Sequence, residues 1–174
     1  MRDVIICLKN IFNDYKEKNM KLREVADIIK GAHLVEEQTT REVKVKELTM
    51  VSLEPISFLD ERKLIEIKST SRISPKQLTK AGDVIVSLYS PMIACYVEKG
   101  QEGYVVPHYM AIVRTKPYVK VDSRFIVQFI NSIRGRRALA KRPDAFAHSR
   151  PTSLPLASLA QVDLLIETNS LVRS

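Results

Sequence analysis

A hydroxyl-rich segment at residues 87–91 is the first part of the sequence that could act directly on a partner molecule. It follows Val84-Ile85-Val86, a β-prone apolar run that is introduced by the turn signal Ala81-Gly82-Asp83. The side chains that can donate to or accept from base edges are those of Ser87, Tyr89 and Ser90. A polar loop at a strand end has a rigid base, so we interpret it as a recognition loop. The alternative is that Tyr89 packs against the core.

A second candidate segment lies at residues 143–152 and has the sequence PDAFAHSRPT. It offers three polar side chains for contact with DNA: His148, Arg150 and Thr152. The guanidinium fork of Arg150 fits O6 and N7 of guanine, so this loop could read bases in a groove. Two alternatives remain open. Phe146 could anchor the segment as an ordinary connection, and Arg150 could pair with an acidic residue.

The clearest helix pattern after the first runs between these two segments, from Asp122 to Arg142. Asp122 or Ser123 can cap its start, and its predicted buried face consists of Phe125, Ile126, Phe129, Ile130 and Ile133. Its end is dense in cations, namely Arg134, Arg136, Arg137, Lys141 and Arg142. Cations near a helix C-terminus interact favourably with the helix dipole, but this density exceeds that need. It predicts contact with phosphates, where each cation would release counterions.

A smaller polar segment, Ser69 to Ser74, carries Arg72 among hydroxyl side chains. Its composition suits contact with a phosphate and equally suits an ordinary turn, so both interpretations stay open.

The charge of the whole chain supports an anionic partner. The 174 residues suffice for one domain with a real core, and the formal net charge is +8. The two cysteines, Cys7 and Cys95, lie far apart among apolar residues, which predicts buried packing residues and a reducing, cytoplasmic compartment. Neither a signal peptide nor an apolar span of about 18 residues is present, which predicts no membrane insertion.

The first nineteen residues have the pattern of an amphipathic helix. Its stripe follows a 4-3-4 spacing through Val4, Leu8, Ile11 and Tyr15. Such a stripe can pack on its own domain, or it can form a seam for another subunit, including a second copy of the chain. We therefore divide the sequence into a docking or spacer-like helix at residues 1–19 and a recognition domain at residues 20–174.

The remaining apolar runs are short and separated by turn residues, which is typical of strands in a curled antiparallel sheet. Strands are predicted at residues 43–46, 64–68, 84–86, 92–97, 104–106, 109–113 and 162–166, with a possible continuation of the first at residues 50–53. A short helical turn is predicted at residues 154–160 and a weakly structured tail after it. The predicted fold is α+β, with a curled, mostly antiparallel sheet, flanking helices and an N-terminal amphipathic helix.

Four blocks of this sequence, taken in order, resemble a target-recognition domain of the specificity subunit of type I restriction–modification enzymes. They are LREVADIIKG (Leu22 to Gly31), LTKAGDVIVSLYS (Leu78 to Ser90), the strand, helix and basic run from Val105 to Lys141, and HSRPTSLPLASLAQVDLLI (His148 to Ile166). The resemblance covers about residues 20 to 168. It implies a DNA-binding subunit without chemistry of its own, which holds methyltransferase subunits that use S-adenosylmethionine and, in the full enzyme, recruits translocating restriction subunits.

The sequence departs from that family in two respects, of which the first is that the long helix expected after the last strand is missing. Family members usually carry two such domains joined by long spacer helices, and this chain has one. The resemblance therefore implies a half-subunit that dimerises, a fragment, or a single domain with a changed role.

The residues also argue against catalysis by this chain. Adenine methylation needs an Asn/Asp-Pro-Pro-aromatic motif, and no two prolines are adjacent here. Glu66-Ile67-Lys68 with Asp60 upstream fits the minimal pattern of a metal-dependent nuclease, but a strand explains the triplet equally well. His33, His108 and His148 are scattered, without paired cysteines for zinc. We predict neither a metal nor a bound cofactor. The remaining alternative is a protein-binding adapter that uses the first helix.

Overall fold

The computed structural model describes residues 15–34, 43–69, 73–140 and 153–169. In this part the strands are β1 (Tyr15–Lys21), β2 (Ala26–Lys30), β3 (Val43–Glu47), β4 (Ile65–Ser69), β5 (Val84–Ser87), β6 (Ala94–Tyr96), β7 (Met110–Thr115) and β8 (Asp163–Asn169). The helices are α1 (Leu22–Val25), α2 (Ser123–Asn131), α3 (Ile133–Ala140) and α4 (Leu156–Ala160), with 3-10 turns at Met50–Ser52, Glu61–Lys63 and Pro75–Gln77.

The fold is α+β and every named strand pair is antiparallel, as predicted. The strands divide into three sheets rather than one. A central sheet has the order β2-β7-β5-β6, while β1 pairs with β8 and β3 pairs with β4. The β1–β8 pair joins strands that are far apart in the sequence, so local patterns could not predict it as a separate sheet.

The central strand β5 is buried on both faces, which explains its continuous apolar run. Val84 and Val86 point to one hydrophobic cluster, which includes Ile126 and Ile130 of α2. Ile85 points to the other face, where it joins a second cluster with Ile112 of β7. This alternation follows the period of two in a β-strand, so the helices cover one face and the loop region around Leu48 and Leu53 covers the other.

The two ends of the central sheet lead into different loops. We call the end formed by Lys30, Ser87, Ala94 and Met110 the Ser87 edge, and the end formed by Ala26, Val84, Tyr96 and Thr115 the Val84 edge. The segment Ser87–Pro91 leaves the sheet at the Ser87 edge. The Gly82-Asp83 turn lies at the Val84 edge, where Gly82 has φ of 89°.

Helix α2 runs across the sheet from the Val84 edge to the Ser87 edge. At its start, Ser123 Oγ lies 3.3 Å from Thr115 Oγ1. At its end, the Asn131 side chain accepts from the Ala94 N–H at 2.9 Å and donates to the Ala94 carbonyl at 2.8 Å. Asn131 thereby satisfies backbone groups of the outermost strand β6, which has no further strand beside it in this sheet.

The predicted single helix over residues 122–142 is wrong, because the chain bends at Ser132. The Ser132 hydroxyl donates to the Phe129 carbonyl and accepts from the Gly135 N–H. A Cβ at Gly135 would lie 1.9 Å from the Phe129 carbonyl oxygen, so α3 can approach α2 this closely only with glycine. The bend leaves Ile133 72% exposed, and Phe125, near the start of α2, is 36% exposed. Both residues were predicted on the buried face, and neither is buried.

Two other predictions of local structure are corrected. Tyr15 to Asn19, predicted as the end of the first helix, belong to strand β1, because they pair with β8. Residues 50–52 form a 3-10 turn rather than a continuation of β3. Strand β8 also extends to Asn169, beyond its predicted end. The other residues of the predicted stripe, Val4, Leu8 and Ile11, lie outside the described residues.

Within the described ranges, no helix is long and apolar enough to cross a membrane.

Candidate nucleic-acid interface

The Ser87–Pro91 segment forms a loop at the Ser87 edge whose shape is set by Ser87 itself. The Ser87 side chain is fully buried, and its hydroxyl donates to the Tyr89 carbonyl at 2.8 Å. Ser87 therefore shapes the loop and does not face a partner, in contrast to its predicted role. Tyr89 is 43% exposed and Ser90 is exposed, so these two hydroxyls remain available for contact.

The structure brings the start of the described C-terminal part directly against this loop. Tyr89 and Ser153 form an antiparallel bridge, and the Leu154 N–H donates to the Leu88 carbonyl at 2.6 Å. The predicted contact residues His148, Arg150 and Thr152 lie outside the described residues, immediately before Ser153 in the chain. The described residues that directly follow the second segment, Ser153 and Leu154, thus lie against the first segment at one end of the central sheet.

Several polar and aromatic side chains at the Ser87 edge were not predicted. The rings of His33 and His108 meet edge to face with centroids 5.0 Å apart, and His108 meets Tyr109 in the same way at 5.3 Å. Lys30 and His108 line a cavity of about 260 Å³ together with Tyr89 and Ser153. Lys30, His33 and His108 are exposed. We considered these two histidines only as zinc ligands and rejected that role because they are scattered in the sequence. The pairing of β2 with β7, which brings them together, was not predicted.

Backbone contacts hold these side chains in place. A Cβ at Gly31 would lie 1.9 Å from the Pro107 carbonyl oxygen, so glycine allows the end of β2 to approach the turn before β7. The Ala32 N–H donates to the Val106 carbonyl at 2.7 Å. The Tyr109 hydroxyl donates to the Leu48 carbonyl at 3.4 Å. Burial raises the pKa of this hydroxyl and Glu47 raises it further, so it stays protonated and remains a donor.

The predicted basic run is partly described, and two of its arginines line a different cavity from the one beside Tyr89. Arg134, Arg136 and Arg137 are exposed on α3, whereas Lys141 lies outside the described residues. Arg134 and Arg137 line a cavity of about 650 Å³ with Ile133 and Asp163. This cavity shares no lining residue with the cavity beside Tyr89. The predicted contact Arg72 also lies outside the described residues.

Comparison with solved structures places this geometry in a known architecture. The chain matches the HsdS subunit from Thermoanaerobacter tengcongensis with a TM-score of 0.59 and 12% identity over 85% of this chain. It matches the type I restriction–modification S subunit from M. genitalium with a TM-score of 0.52 and 12% identity over 91% of this chain. It also matches a chain from a structure on complex assembly and conformational transition of the type I R-M system, with a TM-score of 0.65 and 11% identity over 85% of this chain.

This chain shares its fold with type I specificity subunits. The resemblance predicted from the four sequence blocks is confirmed at the level of the fold. The chain spans 37%, 36% and 37% of the T. tengcongensis, M. genitalium and assembly-study chains, respectively, so it corresponds to a part of each. No family model and no characterised protein matches the sequence.

Of the two acidic residues considered for a nuclease, Asp60 is engaged within the fold. Asp60 is buried and accepts hydrogen bonds from Arg62 Nε at 2.8 Å and from Arg62 Nη2 at 3.0 Å. The hydrogen bond from Arg62 lowers the pKa of Asp60 to about 2. Glu66, in contrast, is exposed on β4. Among the described residues, no group of three His, Cys, Asp or Glu side chains is placed to hold a metal ion.

Cys95 packs in the second hydrophobic cluster and is fully buried, as predicted. Burial raises the pKa of its thiol to about 12, so the reactive thiolate is not formed at neutral pH. Cys7 lies outside the described residues.

Proposed function

We propose that this chain is a non-catalytic specificity component of a type I restriction–modification enzyme, which binds duplex DNA sequence-specifically through its Ser87 edge. The observation that carries the proposal is the bridge between Tyr89 and Ser153. It places Ser153, the described residue that follows segment 143–152, against the Tyr89 loop at one end of a buried sheet. The residue types of that loop and of segment 143–152 suit contact with bases. The fold shared with type I specificity subunits supports the same function.

Contacts at this edge divide into two physical roles. Tyr89, Ser90 and Arg150 would read base edges, because their donors and acceptors can match the pattern of a base pair in the major groove. Lys30 would bind the phosphate backbone beside the loop, which gives affinity but no sequence information. The buried strand β5 holds the base of the Tyr89 loop, and β2, which pairs with β7, holds Lys30 at the same edge of the sheet.

The chemistry would belong to a partner. The family resemblance implies a methyltransferase subunit that carries S-adenosylmethionine and works on the DNA that this chain selects. Under this proposal the chain supplies recognition within a cytoplasmic enzyme and needs no cofactor of its own. Dimerisation would supply a second recognition domain to the same assembly.

The function can be tested by selecting a preferred duplex from a random pool and measuring binding by fluorescence anisotropy. Arg150→Ala should cost about 1–3 kcal/mol of binding free energy on the preferred duplex and much less on random duplex, because the substitution removes a contact with a base. Tyr89→Phe should show the same asymmetry with a smaller loss of about 0.5–1.5 kcal/mol, the net contribution of one hydrogen bond.

Tyr118→Phe is the matched control, because Tyr118 is 77% exposed and follows β7 at the Val84 edge. This variant should bind both duplexes like the wild type. Equal losses on preferred and random DNA for the Tyr89 and Arg150 variants would make these residues backbone contacts. A wild-type chain that binds no duplex even at low salt concentration would contradict the proposal and favour a protein-binding adapter.

A further inference from the structure

The β3–β4 ribbon carries a cationic face that the Ser87 edge does not use. Lys44 and Lys46 of β3 stand opposite Lys68 and Glu66 of β4, respectively. Alternate residues of a strand share a face, and cross-strand partners share it too, so these four side chains lie on one side of the ribbon. The face therefore has three positive charges and one negative charge within two short strands.

The ribbon stands out from the body of the domain. Lys44 and Lys46 are exposed, Ile65 is 44% exposed, and Val45 and Ile67 on the opposite face are only half-buried. A two-stranded ribbon alone is marginally stable in water, so its attachment to the domain must hold it. That attachment lies at one end, where the Val105 N–H donates to the Lys46 carbonyl at 2.8 Å and the Leu48 N–H to the Val105 carbonyl at 2.9 Å.

The attached end of the ribbon lies at the Ser87 edge. Directly after β3, the Leu48 carbonyl accepts from the Tyr109 hydroxyl, and Met50 Sδ lies 3.3 Å from Ser87 Oγ. The lysine face thus projects from the same end of the central sheet as the Tyr89 loop. A duplex bound at that loop would extend beyond it in both directions, because duplex DNA is far longer than one loop.

Lys44 and Lys46 do not stabilise the ribbon through side-chain partners within the described part of the chain. Neither Lys44 nor Lys46 makes a side-chain hydrogen bond or ion pair there. Lysines on exposed strands also discourage pairing with other chains, which is a role that needs no DNA. The attachment of their ribbon at the Ser87 edge, on a chain with net charge +8, favours an anionic duplex as the partner of this face.

We propose that the β3–β4 ribbon is a second DNA-binding element, whose lysine face lies on the phosphate backbone and adds affinity without sequence preference. This inference rests on the proposed DNA-binding function. It assigns Lys44 and Lys46 as phosphate contacts that work beside the base-reading loop. Each such contact releases condensed counterions, so its signature is the salt dependence of binding.

The test compares two double variants with the same change in charge. Lys44→Gln with Lys46→Gln removes two cations from the ribbon, while Lys80→Gln with Lys99→Gln removes two exposed cations near the Val84 edge. The ribbon variant should weaken binding to the preferred and the random duplex by the same factor. Its slope of log K against log salt should become shallower by about 0.9 for each contact, or about 1.8 in total. The control variant should keep the wild-type slope.

Three results would overturn the inference, and they are distinguishable. A ribbon variant with the wild-type slope, while the wild type binds DNA, would reduce the lysines to a solvated face and leave the proposed function standing. A loss confined to the preferred duplex would assign base reading to the ribbon in place of phosphate binding. A wild type that binds no duplex would remove the proposed function and the ribbon's role together. Circular dichroism of each variant confirms that the fold is kept.

Discussion

At the scale of single residues, Asp83 belongs to the predicted turn and also forms a buried ion pair with Arg114. Arg114 of β7 donates to both carboxylate oxygens of Asp83, each at 2.7 Å, and to the Leu78 carbonyl at 3.1 Å. The Lys80 N–H donates to the same carboxylate at 2.8 Å. Asp83 is 1% exposed, so its charge depends on these partners for compensation. The hydrogen bond to Asp83 also raises the pKa of Arg114.

Arg114→Met should therefore lower the free energy of unfolding by about 3–5 kcal/mol, because it leaves a buried carboxylate unpaired. The double variant with Asp83→Asn should lose less, since the neutral amide still accepts from Lys80 and no charge is buried. Urea unfolding followed by circular dichroism measures both. Equal losses in the single and double variants would show that the cost does not come from the isolated charge.

Residue-level prediction succeeded where composition alone decides burial and failed where distant contacts decide it. Cys95 and the residues Val84 to Val86 were recognisable as core from their apolar surroundings. Ser87 was predicted as a DNA contact, but Met50, which lies 37 positions away, covers it. His33 and His108 are distant in the sequence and adjacent only because β2 and β7 pair.

At the scale of elements, the bend between α2 and α3 changes what the basic run can contact. A continuous helix would have placed Ile133 in the core and the arginines along one line with α2. The bend at Ser132 instead exposes Ile133 beside Arg134 and Arg137, in a cavity that also contains Asp163 of β8. The acidic residue is already paired with Lys21 at 2.7 Å, so the surface around the arginines stays positive.

Replacing Arg134, Arg136 and Arg137 with Ala should weaken binding to all duplexes alike, because α3 offers cations and no base-reading loop. The slope of log K against log salt should become shallower by about 0.9 for each phosphate contact that the substitutions remove. Alanine favours helix formation, so the variant should keep α3. The slope is compared, per charge removed, with that of the Lys80 and Lys99 control. An unchanged slope would place this face outside the DNA interface.

Elements were predictable where the apolar period and the β-branched content agreed. Strands β4, β5 and β7 follow from such runs, and α2 follows from its apolar spacing and the cap at Asp122, whose side chain accepts from the Arg124 N–H. Strand β1 was missed because Tyr15 fits a helical stripe, while its strand conformation comes from pairing with Asn169 at the other end of the sequence. A tertiary contact of that range overrides local propensity.

At the scale of the whole molecule, the β1–β8 ladder determines where neighbouring segments join the domain. Tyr15 pairs with Asn169, so residue 14 and residue 170 are covalently attached at the same end of one ladder. The opposite end of the ladder leads into α1 and α4, where the Leu22 N–H donates to the Val162 carbonyl at 2.8 Å.

The predicted apolar stripe through Val4, Leu8 and Ile11 lies outside the described residues, and its role as a seam for another subunit stays a prediction. If the stripe forms such a seam, Leu8→Glu with Ile11→Glu should give a folded but smaller species in sedimentation velocity, because two charges would be buried in the seam. Lys9→Glu is the control, since it changes the net charge by the same two units at a polar position of the segment. The control should sediment like the wild type. A wild type that is already monomeric and binds no methyltransferase subunit would contradict the seam, and the stripe would then pack within its own domain.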